Sequence, residues 1–287
     1  MQAASVNELT WHRYYKTLNQ FLLWSSLFHY DPPDHTAALH WITYQAATKN
    51  LMPSTLNQYL SHLQFFHDLG VLPNIRTSQT LKFITGLSHV VKHNFIARFL
   101  PPSLIYRIFQ LDSTDIILDT IMFQAFNGLR GGHVVQILPS HIVNLTYFLV
   151  PPYKKCTTTT VLSLQHIPKK IIQNFLRHAT DDSTPIINFT KQSYKYHFHK
   201  KLQSMGIDLT SHSARHFFGT LQNFLDTSIQ SIGHHLIHKK PAQTTPTYIH
   251  NLSPMEAKIV ISNPQLFKPL HSVKFVSSVT AHLLMEA

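Results

Sequence analysis

The chain has 287 residues, with 24 Lys/Arg against 13 Asp/Glu, a formal charge of +11, and 22 histidines. Hydrophobic residues make up 44%, enough for packed cores, while no apolar run approaches the roughly 18 residues of a membrane span. The single cysteine, Cys156, excludes an internal disulfide and suits a reducing interior.

The first residues lack the basic-then-apolar layout of a signal peptide, so an intracellular protein is expected. The positive surplus favours a polyanionic partner, because each neutralised phosphate releases counterions. Basic residues occur at most in pairs, such as Lys169-Lys170, which puts the charge on folded surfaces and not on a tail.

In chain order, residues 7–92 read as four helices. Leu18, Phe21, Leu22 and Phe28 fall at helical spacing, and Asp31-Pro32-Pro33-Asp34 ends the first helix. A second helix is expected over 36–49. The third starts at Pro53-Ser54, carries Leu56, Tyr59, Leu60, Leu63 and Phe66 on one face, and stops at Gly70. The fourth carries Leu81, Ile84, Leu87 and Val91.

Residues 93–102 read as a linker, closing at Pro101-Pro102-Ser103 with a new helix start. Two helices follow, and Asn127-Gly128 breaks the second before Leu129-Arg130. Residues 142–150 and 158–164, rich in branched and aromatic side chains, read as β-structure around a turn bearing Lys154-Lys155. From Pro168 the chain reads as helical to about residue 235, interrupted near Pro185 and Gly206. The fold class expected is mainly α with a small β-hairpin or sheet.

Four dispersed features could carry chemistry. The first is Gly128-Leu129-Arg130, and the second is the hairpin lysine, Lys155 or Lys154. The third, Ser211-His212-Ser213-Ala214-Arg215-His216, places His212 and Arg215 one turn apart on one helix face. The fourth is Thr244-Thr245-Pro246-Thr247-Tyr248-Ile249-His250. In isolation each has an ordinary reading: a surface arginine, a solvated turn, a capped helix, a polar turn with a tyrosine.

Together, in this order, they resemble the tyrosine recombinase (phage integrase) family. The resemblance implies an N-terminal helical core-binding domain over 1–95 and a mixed α/β catalytic domain over 96–250. It further implies a tail, 251–287, that could be exchanged between protomers. Arg130, Lys155, His212, Arg215 and Tyr248 match the family's catalytic positions. Gly233-His234 looks like the family's Gly-His but lies too close to Arg215. His238, 23 residues after Arg215 and 10 before Tyr248, is preferred, with His234 and His235 as alternatives. The family usually has an acidic residue three positions after the first arginine; here that position is His133.

The implied chemistry needs these residue types. A tyrosine hydroxyl ionises near pH 10 and needs a base as it attacks phosphorus to form a covalent 3′-phosphotyrosyl link. Guanidiniums hold the non-bridging oxygens, a lysine protonates the 5′-hydroxyl leaving group, and histidines serve as acid/base or phosphate donor. No metal or other cofactor is expected. Double-stranded DNA is the implied partner, with a homo-multimer, a tetramer, assembled on it. The resemblance also implies origin in a mobile element or virus, and location with DNA, nuclear or cytoplasmic according to host. The competing reading is a catalytically inactive, DNA-binding descendant.

Overall fold

The computed structural model describes residues 6–49, 51–90, 99–111, 113–151, 160–237 and 248–270. The chain divides into two compact units, Met1–Phe95 and Ile96–Ala287. Positive charge is not shared equally between them. The first unit holds six Lys/Arg and four Asp/Glu, the second eighteen and nine, so the second carries most of the surplus.

The first unit is four helices, α1 (Glu8–Leu27), α2 (His35–Lys49), α3 (Pro53–Asp68) and α4 (Ser78–Val90). Asn7 caps α1 by accepting the Thr10 amide at 2.9 Å, which satisfies one of the donors a helix start leaves open. Pro53 opens α3 at a position that needs no N–H. Gly70, at φ +76°, lets the chain leave α3 in the left-handed region. Leu18, Phe21, Trp41, Leu56, Leu60, Leu63 and Phe66 form the core. Leu22, Phe28 and Leu81, which share the helical spacing, are exposed.

The second unit is built around α6 (Ile116–Asn127), in which every residue from Ile117 to Asn127 is buried. Asp115 caps it, accepting from Ile117 and Leu118 amides at 2.8 and 3.2 Å. Around α6 lie α5 (Pro102–Gln110), α8 (Lys169–Leu176), α9 (Lys191–Gln203) and α10 (Ser213–Phe224). A short α7 (Gly131–Val134) precedes three strands, β1 (Ile142–Val143), β2 (Tyr147–Val150) and β3 (Thr160–Ser163).

The strands form an antiparallel meander, with Ile142 opposite Phe148 and Phe148 opposite Leu162. The expected single β-stretch over 142–150 is thus two strands. Asn144 and Leu145, at φ 50° and 54°, turn the chain between them, the two-positive-φ geometry that suits a twisted hairpin.

Two further helices, α11 (Ile229–His235) and α12 (Pro254–Ser262), complete the described residues. Glu256 of α12 accepts the Ser103 amide at 2.8 Å and the Ser103 hydroxyl at 2.6 Å. Leu266 and Phe267 are buried in the main core, Phe267 against Phe126. The Leu270 amide donates to Gln222 at 2.8 Å. The tail is therefore seated on its own unit as far as Leu270. Residues 271–287, which hold the rest of the expected exchange element, lie outside the described residues.

Candidate active site

The site forms where the end of α6, the start of α10 and the Tyr248 segment meet. α6 stops at Gly128, which adopts φ +59°. A Cβ there would lie 2.6 Å from Leu236 Cδ2 and 2.8 Å from Phe218 Cδ1, so only glycine fits both the backbone and the space. The turn delivers Arg130 as the cap residue of α7, partly exposed.

One buried side chain holds the surrounding loops. Gln124 Nε2 donates to the carbonyls of Leu129 and Ser211 at 2.9 and 3.1 Å, and its Oε1 accepts from Tyr194 of α9 at 2.6 Å. One amide thus ties the residue before Arg130 to the residue before His212. Burying this polar group is tolerable because its partners satisfy it. The sequence signal was available: a glutamine inside the apolar run Ile121-Met122-Phe123-Gln124-Ala125-Phe126.

Arg215 projects from the first turn of α10 and is 1% exposed. Its Nη1 donates to Gly128 O at 2.7 Å and its Nη2 to Leu236 O. Its Nε is buried with no hydrogen-bond partner among the described residues. Burial, reinforced by Arg130, lowers its pKa to about 10, while Tyr248 opposes the shift. It stays charged at neutral pH.

Tyr248, 8% exposed, lies against this guanidinium, with Arg215 Cζ 5.1 Å from its ring centroid. His212 and His216 flank the same ring, at 5.5 and 4.9 Å between centroids. His212 is exposed at the rim of the site. Partial burial of its ring, then Arg215, Arg130 and Lys195, push its pKa down to about 4. The imidazole is neutral at physiological pH and able to accept a proton.

His133, in the position where an acidic residue was expected, is buried. Burial, followed by the Arg130 and Arg215 charges, lowers its pKa to about 4. A neutral ring thus lies within the influence of both guanidinium charges.

The structure brings Arg130, His212, Arg215 and Tyr248 together. Lys155, its alternative Lys154, and His238 lie outside the described residues. Of the alternatives to His238, His235 is fully buried, stacked on Phe218 at 4.6 Å and edge-on to His166 at 5.2 Å. His234 is partly buried at the end of α11. The sequence did not single out Gln124, Tyr194 or Thr220, whose contacts depend on elements distant in the chain, and gave His250 only as part of the Tyr248 segment. Among the described residues, no group of three or more His, Cys, Asp or Glu is placed to hold a metal ion. No helix among them is long and apolar enough to cross a membrane.

No model of a known protein family matches the chain, and no curated protein does. Solved structures do. A lambda integrase(75-356) dimer bound to a COC' core site aligns with a TM-score of 0.61 at 12% identity, over 87% of this chain and 93% of that one. A lambda integrase tetramer bound to a Holliday junction aligns at 0.57 and 12%, over 87% and 75%. The Tn1549 transposon integrase (aa 82-397) in complex with circular intermediate DNA aligns at 0.53 and 13%, over 79% and 84%. Mostly helical, with a small antiparallel sheet placed between α7 and α8, the chain has the tyrosine recombinase fold.

Proposed function

We propose that this chain cuts and rejoins double-stranded DNA through a covalent 3′-phosphotyrosyl intermediate on Tyr248. The observation that carries the reading is the Arg215 guanidinium 5.1 Å from the Tyr248 ring, with His212 at its edge. An anionic phosphate is the ligand such a site suits, since Arg215 lies against the tyrosine and the Arg130 charge acts on Arg215, with no carboxylate among the catalytic positions.

In the proposed reaction Tyr248 attacks phosphorus while neutral His212 takes its proton. Arg130 and Arg215 hold the non-bridging oxygens as charge gathers there, and the buried Arg215 Nε is a donor still to be satisfied. Lys155 would protonate the departing 5′-hydroxyl, and His238 would donate to the phosphate. The new phosphodiester keeps the energy of the broken one, so rejoining needs no nucleotide.

Neighbours named as an integrase dimer on a core site and a tetramer on a Holliday junction support a multimer on DNA. A neighbour named as a transposon integrase supports origin in a mobile element. The second reading, a DNA-binding descendant without activity, draws on Arg215, two of whose donors are occupied by main-chain carbonyls, and on His133.

A nicked substrate that traps the covalent intermediate separates the two. The active reading expects a protein–DNA adduct from the wild type and none from Tyr248→Phe, with DNA affinity unchanged because only one oxygen is lost. Adduct from Tyr248→Phe would sink the nucleophile assignment. No adduct from a wild type that binds DNA would establish the inactive reading.

A further inference from the structure

The face of α10 beyond Arg215 makes contacts that the proposed chemistry does not use. A Cβ at Gly219 would come within 2.8 Å of the Tyr248 carbonyl oxygen and 3.0 Å of the Tyr248 Cβ. The bare Cα therefore lets the tyrosine's main chain lie directly on the helix. Thr220, 1% exposed, donates its hydroxyl to the Tyr248 carbonyl at 3.2 Å and accepts the His250 amide at 3.2 Å. One hydroxyl thus fixes the backbone on both sides of Ile249.

One turn earlier on α10, His216 packs its ring on Tyr248, and its Nδ1 lies 3.2 Å from His250 Nε2. His250 in turn lies parallel to Phe99, 5.9 Å away with 4° between planes. The segment is held by steric fit at Gly219, by main-chain hydrogen bonds at Thr220, and by a ring pile through His216 and His250. Tyr248 is left with its ring facing Arg215 and His212.

We propose that Gly219, Thr220, His216 and His250 form a seat for the nucleophile segment, so that these four are positioning residues for Tyr248. The inference rests on the reading of Tyr248 as nucleophile. Its physical basis is the steep distance dependence of attack: a misplacement of about 1 Å can cost on the order of 10²-fold in rate. Neither Thr220 nor His250 is among the residues proposed to hold the phosphate. Losing them misplaces the nucleophile and leaves the phosphate clamp intact.

The test separates delivery from chemistry. On the nicked substrate, Thr220→Val and His250→Phe are expected to slow adduct formation by about 10²-fold, and Thr220→Ser is expected to restore it. His250→Phe keeps the stack on Phe99 and removes the bond to His216, so it remains informative if Thr220→Val fails to fold. Hydrogen peroxide, a small nucleophile that needs no seat, is then supplied to Tyr248→Phe. Its attack on the same phosphorus, releasing the 5′-hydroxyl, should proceed equally with and without Thr220→Val or His250→Phe. Parallel losses in the tyrosine and peroxide reactions would show a structural role only and overturn the seat.

Normal adduct from every seat variant ends the inference but leaves the function standing. Absence of adduct from the wild type ends both.

Discussion

The guanidinium of Arg215 meets the ring of Tyr248 while two of its donors are fixed to the carbonyls of Gly128 and Leu236. The residue therefore has a structural job beside the catalytic one proposed for it, whereas Arg130, partly exposed at the start of α7, has only the proposed one. Arg215→Ala should leave two buried carbonyls unpaired, each at about 1–3 kcal/mol, and lower the melting temperature as well as the adduct rate. Arg130→Ala should change stability by less than about 1 kcal/mol while lowering the adduct rate on the order of 10²–10³-fold. Thermal melts and adduct kinetics on both variants check the contrast. Equal melting temperatures would deny Arg215 its structural role.

His133 makes the fold sensitive to acid. Its pKa of about 4 in the folded chain lies below the unfolded value of about 6.5, so between those values the unfolded state binds more protons. Stability should hold above pH 6.5 and fall as pH drops to about 4, with His133 contributing up to about 3 kcal/mol of the loss. His133→Gln, neutral at every pH, should flatten that part of the curve. Denaturant unfolding from pH 4 to 7 measures the difference. Parallel curves for the two proteins would rule His133 out as the source.

Gly128→Ala tests the turn that delivers Arg130. The new methyl would enter the space of Leu236 and Phe218 at a backbone of φ +59°. Strain and overpacking together should cost about 2–4 kcal/mol. Chemical denaturation measures it, and a variant as stable as the wild type would refute the account.

If the chain binds DNA as proposed, the charge asymmetry between the units should set its salt response. With eighteen Lys/Arg in residues 96–287 against six in 1–95, most phosphate neutralisation should come from the second unit. Log affinity should fall steeply and linearly with log salt, by nearly one unit of slope per phosphate neutralised. Removing Lys191 and Lys195 charges should reduce that slope more than removing Lys16 and Lys49 charges. Fluorescence anisotropy across a salt series decides it, and the reverse order would count against the asymmetry.

Local signals made much of the fold legible. The α3 face Leu56, Leu60, Leu63 and Phe66 is buried as its spacing requires, and Gly70 ends the helix region as expected. Spacing alone failed at Leu22, Phe28 and Leu81, which are exposed, because periodicity shows that a face exists but not how wide its cover is. The strand break at Asn144-Leu145 was hidden because leucine gives no warning of a positive φ.

At the site, His212 and Arg215 were legible because one helix turn carries both. The contacts of Tyr248 with Thr220 and of Gln124 with Ser211 were not. They join positions 28 and 87 residues apart, and no local pattern encodes which faces will meet.

The pair of hydrogen bonds that Arg215 donates to main-chain carbonyls has a consequence for descent. On the proposed activity, a copy of this gene released from selection for strand exchange would still need that arginine to keep its core intact. Across diverging copies, Arg215 should persist after activity has lapsed, and drift of Tyr248 to phenylalanine would mark the lineages in which it has.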